Sequence, residues 1–256
     1  MAKSATNGTL NACYLKSSDI AVIKFQTTNP YSCSYLPGKS ACSEVVTPEH
    51  IIDISAYGQL IQAGFRRSGH YIYRPRCEHC QACLSVRVQA KSFLPKRFQR
   101  RAWKQHQHLQ VSAHPLHYNP AHFALYQRYQ AKRHAGGGMD KDCREQYHNF
   151  LLQSHVDSML IEFRDNEQLR MVSIIDLLPD GFSSVYTFFD ADIAHASFGT
   201  YSILWQIEQC RNLKKDYLYL GYWIQDNRKM RYKINFQPLE VLLDGRWQPL
   251  DSSIFA

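Results

Sequence analysis

Between Gly64 and Arg101 the chain reads GFRRSGHYIYRPRCEHCQACLSVRVQAKSFLPKRFQRR, and ten of the protein's thirty Lys and Arg residues fall there. Arginine presents a planar fork of N–H donors that grips a carboxylate or phosphate with two parallel bonds. Arg66, Arg67, Arg74 and Arg76 are therefore candidates to hold an acidic group. Arg74 leads, because Tyr73 and Pro75 flank and stiffen it. Cys77, Cys80 and Cys83 follow at C-x2-C-x2-C spacing. With Cys33 or Cys42 from an upstream stretch rich in Pro and Ser, they could make a four-ligand zinc or iron–sulfur site. The other reading is reduced thiols packing one loop on another. His70 reads as a hydrogen-bonded structural residue.

A second constellation lies in GYWIQDNRKMRYK, residues 221–233. A helical reading puts Lys229 and Lys233 four residues apart on one face, suited to phosphates, with Met230 and Tyr232 beside them. Tyr222, Asp226 and Glu162 are the candidate catalytic residues. Asp226 either caps that helix or takes a proton. Glu162, in the apolar run MLIEFR, is a second proton acceptor or else an ion-pair partner. Tyr222 and Trp223 read as core or as a platform under substrate.

The surrounding pattern says how such residues are positioned. Ile20 to Phe25 is a candidate first strand. Tyr57, Leu60, Ile61, Gly64 and Phe65 recur at helical spacing, which predicts a helix over Ser55–Arg67 with Ser55 as N-cap and the two arginines at its C-terminal end. Leu84 to Ala90 alternates as a half-buried strand. A cationic helix follows Pro95, and Asn119-Pro120 opens another running to about Arg133. Ala135-Gly136-Gly137-Gly138 reads as a flexible lid or hinge, and Cys143 to Gln153 as a helix. Strands are expected at 159–164, 169–177 and 182–189, then a helix from about Ser197 to Cys210 and a buried strand over Tyr217–Trp223. That is an α+β pattern whose C-terminal half has the order found in GNAT-type acyltransferases. The expected division is 1–135, a smaller Cys- and Arg-rich α/β region for acceptor recognition, and 136–256, a GNAT-like transfer domain.

Composition sets the bounds. The chain has 256 residues, 45% hydrophobic and 13% aromatic, and a formal charge of +8. It is globular, with attraction to a polyanion favoured by the clustered cations. Its eight cysteines, the lack of a signal-peptide pattern and the lack of an apolar run near the roughly 20 residues of a membrane span predict a cytoplasmic protein with no membrane contact.

Five pieces taken together resemble one family. They are YSCSYLPGKSA (31–41), GFRRSGHYIYRPRCEHCQAC (64–83), LYQRYQAKRH (125–134), FFDADIAHASFGTYSILWQIEQC (188–210) and KMRYK (229–233). In this order they are similar to the bacterial aspartate/glutamate leucyltransferases, short relatives of the arginyl-tRNA–protein transferases. The resemblance implies that leucine passes from leucyl-tRNA to the α-amine of a protein beginning with Asp or Glu. The new N-terminus then marks that protein for degradation. It also implies a GNAT-like C-terminal domain and no cofactor required for catalysis; relatives holding a metallocluster do so in the corresponding cysteine loops. An aminoacyl ester is already activated, so the reaction needs a neutral amine, oxyanion donors and a proton route rather than a nucleophilic Ser or Cys. Tyr73, Arg66, Arg67, Arg74 and Arg76 would bind the acceptor, while Lys229, Met230, Tyr232 and Lys233 would lie near the tRNA end. Two other readings stay open: arginine as the donated residue, and a zinc-containing RNA-binding module without catalysis. An acetyl-CoA-dependent enzyme would call for a fuller glycine-rich loop than Gly199 supplies.

Overall fold

The computed structural model describes residues 23–48, 52–134 and 143–250. Its spine is an eight-stranded sheet in the order β14-β13-β7-β12-β11-β10-β9-β8. These strands are β7 (Leu84–Gln89), β8 (Gln110–His114), β9 (Ser158–Asp165), β10 (Gln168–Leu177), β11 (Gly181–Phe189), β12 (Tyr217–Trp223), β13 (Leu239–Leu243) and β14 (Arg246–Pro249). The antiparallel meander β9–β11, a helix and a further strand appear in the order the sequence pattern implied; that strand pairs parallel to β11, and the fold is α+β. Residues from both expected regions share this sheet, since β7 and β8 precede residue 135 and the other six strands follow it. The expected boundary and the Ala135–Gly138 hinge lie outside the described residues.

Two apolar layers sandwich the sheet. Alternate residues of a strand face opposite ways, and β9 and β10 divide their side chains accordingly. Ile161, Phe163, Met171 and Ile175 join the cluster around α5 (Phe198–Asn212), which α2 (Arg97–His106) covers. Leu160, Val172 and Ile174 join the cluster under α3 (Pro120–Arg133) and α4 (Arg144–Tyr147), the latter continuing as a π-helical turn over His148–Leu152. The helix read from Asn119-Pro120 is present at its expected bounds, with the Asn119 side chain accepting from Ala121 N–H.

A smaller sheet, β1-β4-β6-β5, packs beside the large one. It comprises β1 (Lys24–Thr27), β4 (Ser43–Thr47), β5 (Arg66–Ser68) and β6 (Tyr71–Pro75), and it shares a core with α1 (Ile54–Gln62), Leu178 and Tyr219. A two-stranded ribbon, β2 (Tyr31–Ser32) with β3 (Ser40–Ala41), forms a third sheet, joined to β4 by the Tyr31–Ser43 hydroxyl contact at 2.6 Å.

Here two expectations are corrected. Helix α1 is capped by Asp53, not Ser55, and it stops at Gln62. Gly64, at φ +88°, lets Phe65 N–H turn back to the Leu60 carbonyl, which closes the helix and frees the chain to become a strand. Arg66 and Arg67 thus leave the helix end and point to opposite faces of β5. The strand β7 is also not half-buried. It lies inside the sheet, and Arg87 is only 8% exposed, bonded to Glu240 at 2.6 Å and stacked between Tyr217 and Trp247.

Candidate active site

Parallel strands β11 and β12 pair over Gly181–Ser183 against Tyr217–Tyr219, and beyond that register they are no longer bonded to each other. A bulge between Tyr219 and Gly221 displaces β12 at the same level. The result is a fork, and the Arg66 guanidinium occupies it. One nitrogen donates to the Val185 carbonyl on β11 at 3.2 Å, and the group lies against Gly221 on β12. A Cβ at Gly221, where φ is +70°, would come within 2.5 Å of that guanidinium. Only glycine combines that backbone angle with that clearance.

Aromatic hydroxyls surround the fork. Tyr73, Tyr35, Tyr222 and Tyr57 lie within electrostatic reach of Arg66, whose carbon sits 5.6 Å from the Tyr222 ring centre. The loop bearing Tyr35 is tied in by Asn227, whose amide donates to the Tyr35 carbonyl at 3.0 Å. Lys233, 5% exposed, donates to the Tyr222 carbonyl. Among the described residues Arg66 has no carboxylate partner, and most of its N–H donors are uncommitted. A guanidinium in that condition keeps donors with which it can grip a carboxylate by two parallel bonds.

Two of the other three candidate arginines are spoken for. Arg67 is 3% exposed, and all its donors are engaged: Asp176 by Nε and Nη2, Gly69 and Gln153 carbonyls by Nη1, and Ser158 by Nη2. Arg74, the expected leader, bonds Glu44 at 2.6 Å and the Ala63 carbonyl at 3.1 Å, with its guanidinium over the Phe65 ring. What holds it is a structural ion pair. Arg76 is exposed past the end of β6. Accordingly, Arg74→Ala is expected to leave the peptide KM within about threefold of wild type and to cost no more than the 0–1 kcal/mol typical of a part-exposed ion pair. Steady-state kinetics and a melt check both.

The candidate catalytic residues do not meet. Glu162 lies three strands from β12, held by His122 at 2.6 Å and Arg164 at 2.7 Å. Burial pushes its pKa up, but those hydrogen bonds outweigh it and keep the carboxyl below its ordinary value. It is an ion-pair partner, not a proton acceptor of the fork. Asp226 is exposed on a turn, and the side chain that caps there is Asn227, accepting from Lys229 N–H at 2.9 Å. Tyr222 does reach the fork, yet its hydroxyl is spent on the Gly64 and Tyr73 carbonyls at 3.1 and 3.2 Å. Its role there is to join the two sheets.

Lys229 and Lys233 do not share a helical face, because residues 226–230 are turns and the helix, a short 3-10 turn, begins at Arg231. Lys229 is exposed near His134, while Lys233 is buried. Met230 packs partly against the main core. Tyr232 is 47% exposed as a residue, with Arg66 and Tyr129 in electrostatic reach. Sequence reasoning missed Tyr35 and Gly221. The first sits in a loop without periodicity, and the second inside a strand, where an isolated glycine is itself a signal of a bulge.

The sulfurs of Cys33, Cys77 and Cys80 act electrostatically on Cys83, whose thiol burial pushes up to about 12, with the neighbouring thiols adding to the effect. The Cys77 sulfur faces the Cys42 backbone, and Cys42 donates to the Thr28 carbonyl at 2.9 Å. Among the described residues no three His, Cys, Asp or Glu side chains converge closely enough to hold a metal ion. As arranged, these residues form a cluster of thiols packing the loops and do not fit a zinc or iron–sulfur ligand set.

The forked parallel pair thus holds a half-buried cation, Arg66, with no carboxylate partner among the described residues. Residues 31–101 match the family described as "Arginine-tRNA-protein transferase, N terminus" and residues 121–243 the corresponding C terminus. An aspartate/glutamate leucyltransferase of Nitrosospira multiformis is 61% identical over 91% of this chain and 92% of its own. One of Methylobacillus flagellatus is 53% identical over 91% and 94%. The solved structure of FemX overlays with a TM-score of 0.43 at 8% identity, covering 80% of this chain and 81% of that one. The chain belongs to the aspartate/glutamate leucyltransferase family.

Proposed function

We infer that the protein transfers leucine from leucyl-tRNA to the α-amine of proteins that begin with Asp or Glu, giving them a destabilising N-terminus that directs their degradation. The observation that carries the reading is Arg66, a half-buried guanidinium in the fork with no carboxylate of its own among the described residues. An Asp or Glu side chain docked on Arg66 places the acceptor's α-amine a bond or two away, inside the fork. There the ester carbonyl of the aminoacyl group is attacked. Tyr73 and Tyr35 line the approach to the acceptor, and Tyr232 lies where an aminoacyl end would enter.

The tRNA needs a cationic surface that tracks its phosphates. On α2 the side chains of Lys96, Arg97, Arg100, Arg101 and Lys104 are exposed and have no carboxylate partner among the described residues. Arg76 and Lys229 are further exposed cations. In this reading the region over 1–135 recognises the acceptor and carries the tRNA-facing helix, and 136–256 carries the transfer, the two joined through one sheet. The thiols and the tRNA substrate fit a cytoplasmic setting, and no helix among the described residues is long and apolar enough to cross a membrane.

The test offers leucyl-, arginyl- and phenylalanyl-tRNA separately, with peptides beginning with Asp, Glu, Asn and Leu. Transfer of leucine to the Asp and Glu peptides alone is expected. Transfer of arginine instead replaces the donor assignment, and transfer of nothing overturns the reading.

A further inference from the structure

We propose that Lys233 is the proton shuttle of the transfer, taking a proton from the attacking α-amine and passing it to the departing tRNA oxygen. The inference rests on the aminoacyl-transfer reading above. Lys233 stands on the short helix Arg231–Asn235, is 5% exposed, and donates to the Tyr222 carbonyl at the fork. A lysine this buried ordinarily carries a paired carboxylate. Among the described residues Lys233 has none.

The titratable groups gathered at the fork are Arg66 from β5, Tyr73 from β6, Tyr222 from β12, Tyr57 from α1 with its hydroxyl given to Asp176, Tyr35 from the upstream loop, Cys83, Tyr232 on the same turn, and Tyr129 from α3. None is a carboxylate, and the one fixed charge, Arg66, repels an ammonium. Burial first, and Arg66 second, hold the Lys233 amine well below the ordinary lysine range. A neutral amine keeps a lone pair, which an ammonium lacks. Neither Asp226, exposed on its turn, nor Glu162, consumed by His122 and Arg164, offers an acceptor at this place.

The step balances without a further reagent. The neutral α-amine attacks the ester carbonyl carbon, a C–N bond forms, and the carbonyl pair moves onto oxygen. The nitrogen's surplus proton goes to the Lys233 Nζ lone pair. The carbonyl then re-forms, the C–O bond to the ribose breaks, and its electron pair leaves on the ribose oxygen. That oxygen takes the proton from Lys233. Lysine ends neutral, the peptide bond is made, and the tRNA regains its hydroxyl. A carboxylate docked on Arg66 lessens the repulsion at Lys233, so arrival of the correct acceptor makes the lysine a better proton acceptor.

The experiment compares wild type, Lys233→Ala, Lys233→Met and Lys233→Arg in single-turnover transfer from leucyl-tRNA to an Asp-initiated peptide. All three variants are expected to lose roughly 10²–10⁴-fold in rate, with the peptide KM within about threefold of wild type. Small alkylamines should restore leucyl-peptide formation to Lys233→Ala in proportion to their basicity, which a merely structural lysine would not allow. Should Lys233→Ala fail to fold, the Met and Arg pair decides, since both fill the volume. An arginine variant within about tenfold of wild type shows that charge alone suffices and overturns the shuttle, as does a folded alanine variant that amines cannot rescue. If wild type itself transfers nothing, the functional reading fails; if wild type transfers and the variants do too, only the shuttle fails.

Discussion

Replacing Arg66 with methionine is expected to lower kcat/KM for an Asp-initiated peptide by roughly 10²- to 10³-fold. Truncating one partner of a desolvated charge pair costs about 2–5 kcal/mol, and each 1.4 kcal/mol is about tenfold. Stability should barely change, because among the described residues the guanidinium's hydrogen-bond partner is one carbonyl, that of Val185, and removing it leaves no buried carboxylate behind. Lysine at this position is expected to restore little, since a point charge cannot reproduce the fork's two parallel bonds. Gly221→Ala should imitate the loss without touching the arginine, because its Cβ would displace the guanidinium from 2.5 Å. Kinetics on Asp, Glu and Asn peptides read the effect. An Arg66→Met enzyme that still prefers Asp over Asn would remove the arginine from acceptor recognition.

The second large effect is on folding. Asp176 receives Arg67, Tyr57 at 2.6 Å and Ser158 at 2.6 Å, and the side chains of the ion pair are 0% and 1% exposed. Asp176→Ala would strand the Arg67 guanidinium in the interior, and breaking a buried pair from one side costs about 3–5 kcal/mol. That is a large share of the roughly 5–15 kcal/mol that holds a domain together. Urea unfolding should show the midpoint fall with the slope unchanged. Arg67→Met with Asp176→Leu, an apolar swap, should recover much of the loss. A single variant losing under about 1 kcal/mol would mean that water reaches the pair.

These two arginines also show what the sequence can and cannot tell. They are neighbours of one type, and a strand sends neighbours to opposite faces. Had β5 been recognised, one would have been expected in the core and one free. The helical spacing of Tyr57 through Phe65 concealed this, because Gly64 fits the period although it ends the helix. The large sheet was legible where apolar runs are long, as in β9 to β12, and α3 announced itself by Asn119-Pro120. The fork was not legible, because it depends on where two parallel strands stop pairing. Arg74 failed for a similar reason: Glu44, thirty residues earlier, lies opposite it only in the folded register of β4 and β6. The spacing puts Lys233 on an exposed helical face with Lys229; its burial is a tertiary fact that the spacing could not show.

One feature of the large sheet bears on how the protein is made. Strand β7 lies between β12 and β13, both of which come far later in the chain. As the polypeptide leaves the ribosome, β7 therefore emerges with neither neighbour yet synthesised, its Val86 and Val88 and both edges unprotected. The nascent chain cannot complete its central sheet until translation has passed Leu243. An unfinished chain thus carries cysteines and arginines but no forked site, and catalytic competence arrives late in synthesis rather than accumulating along the way.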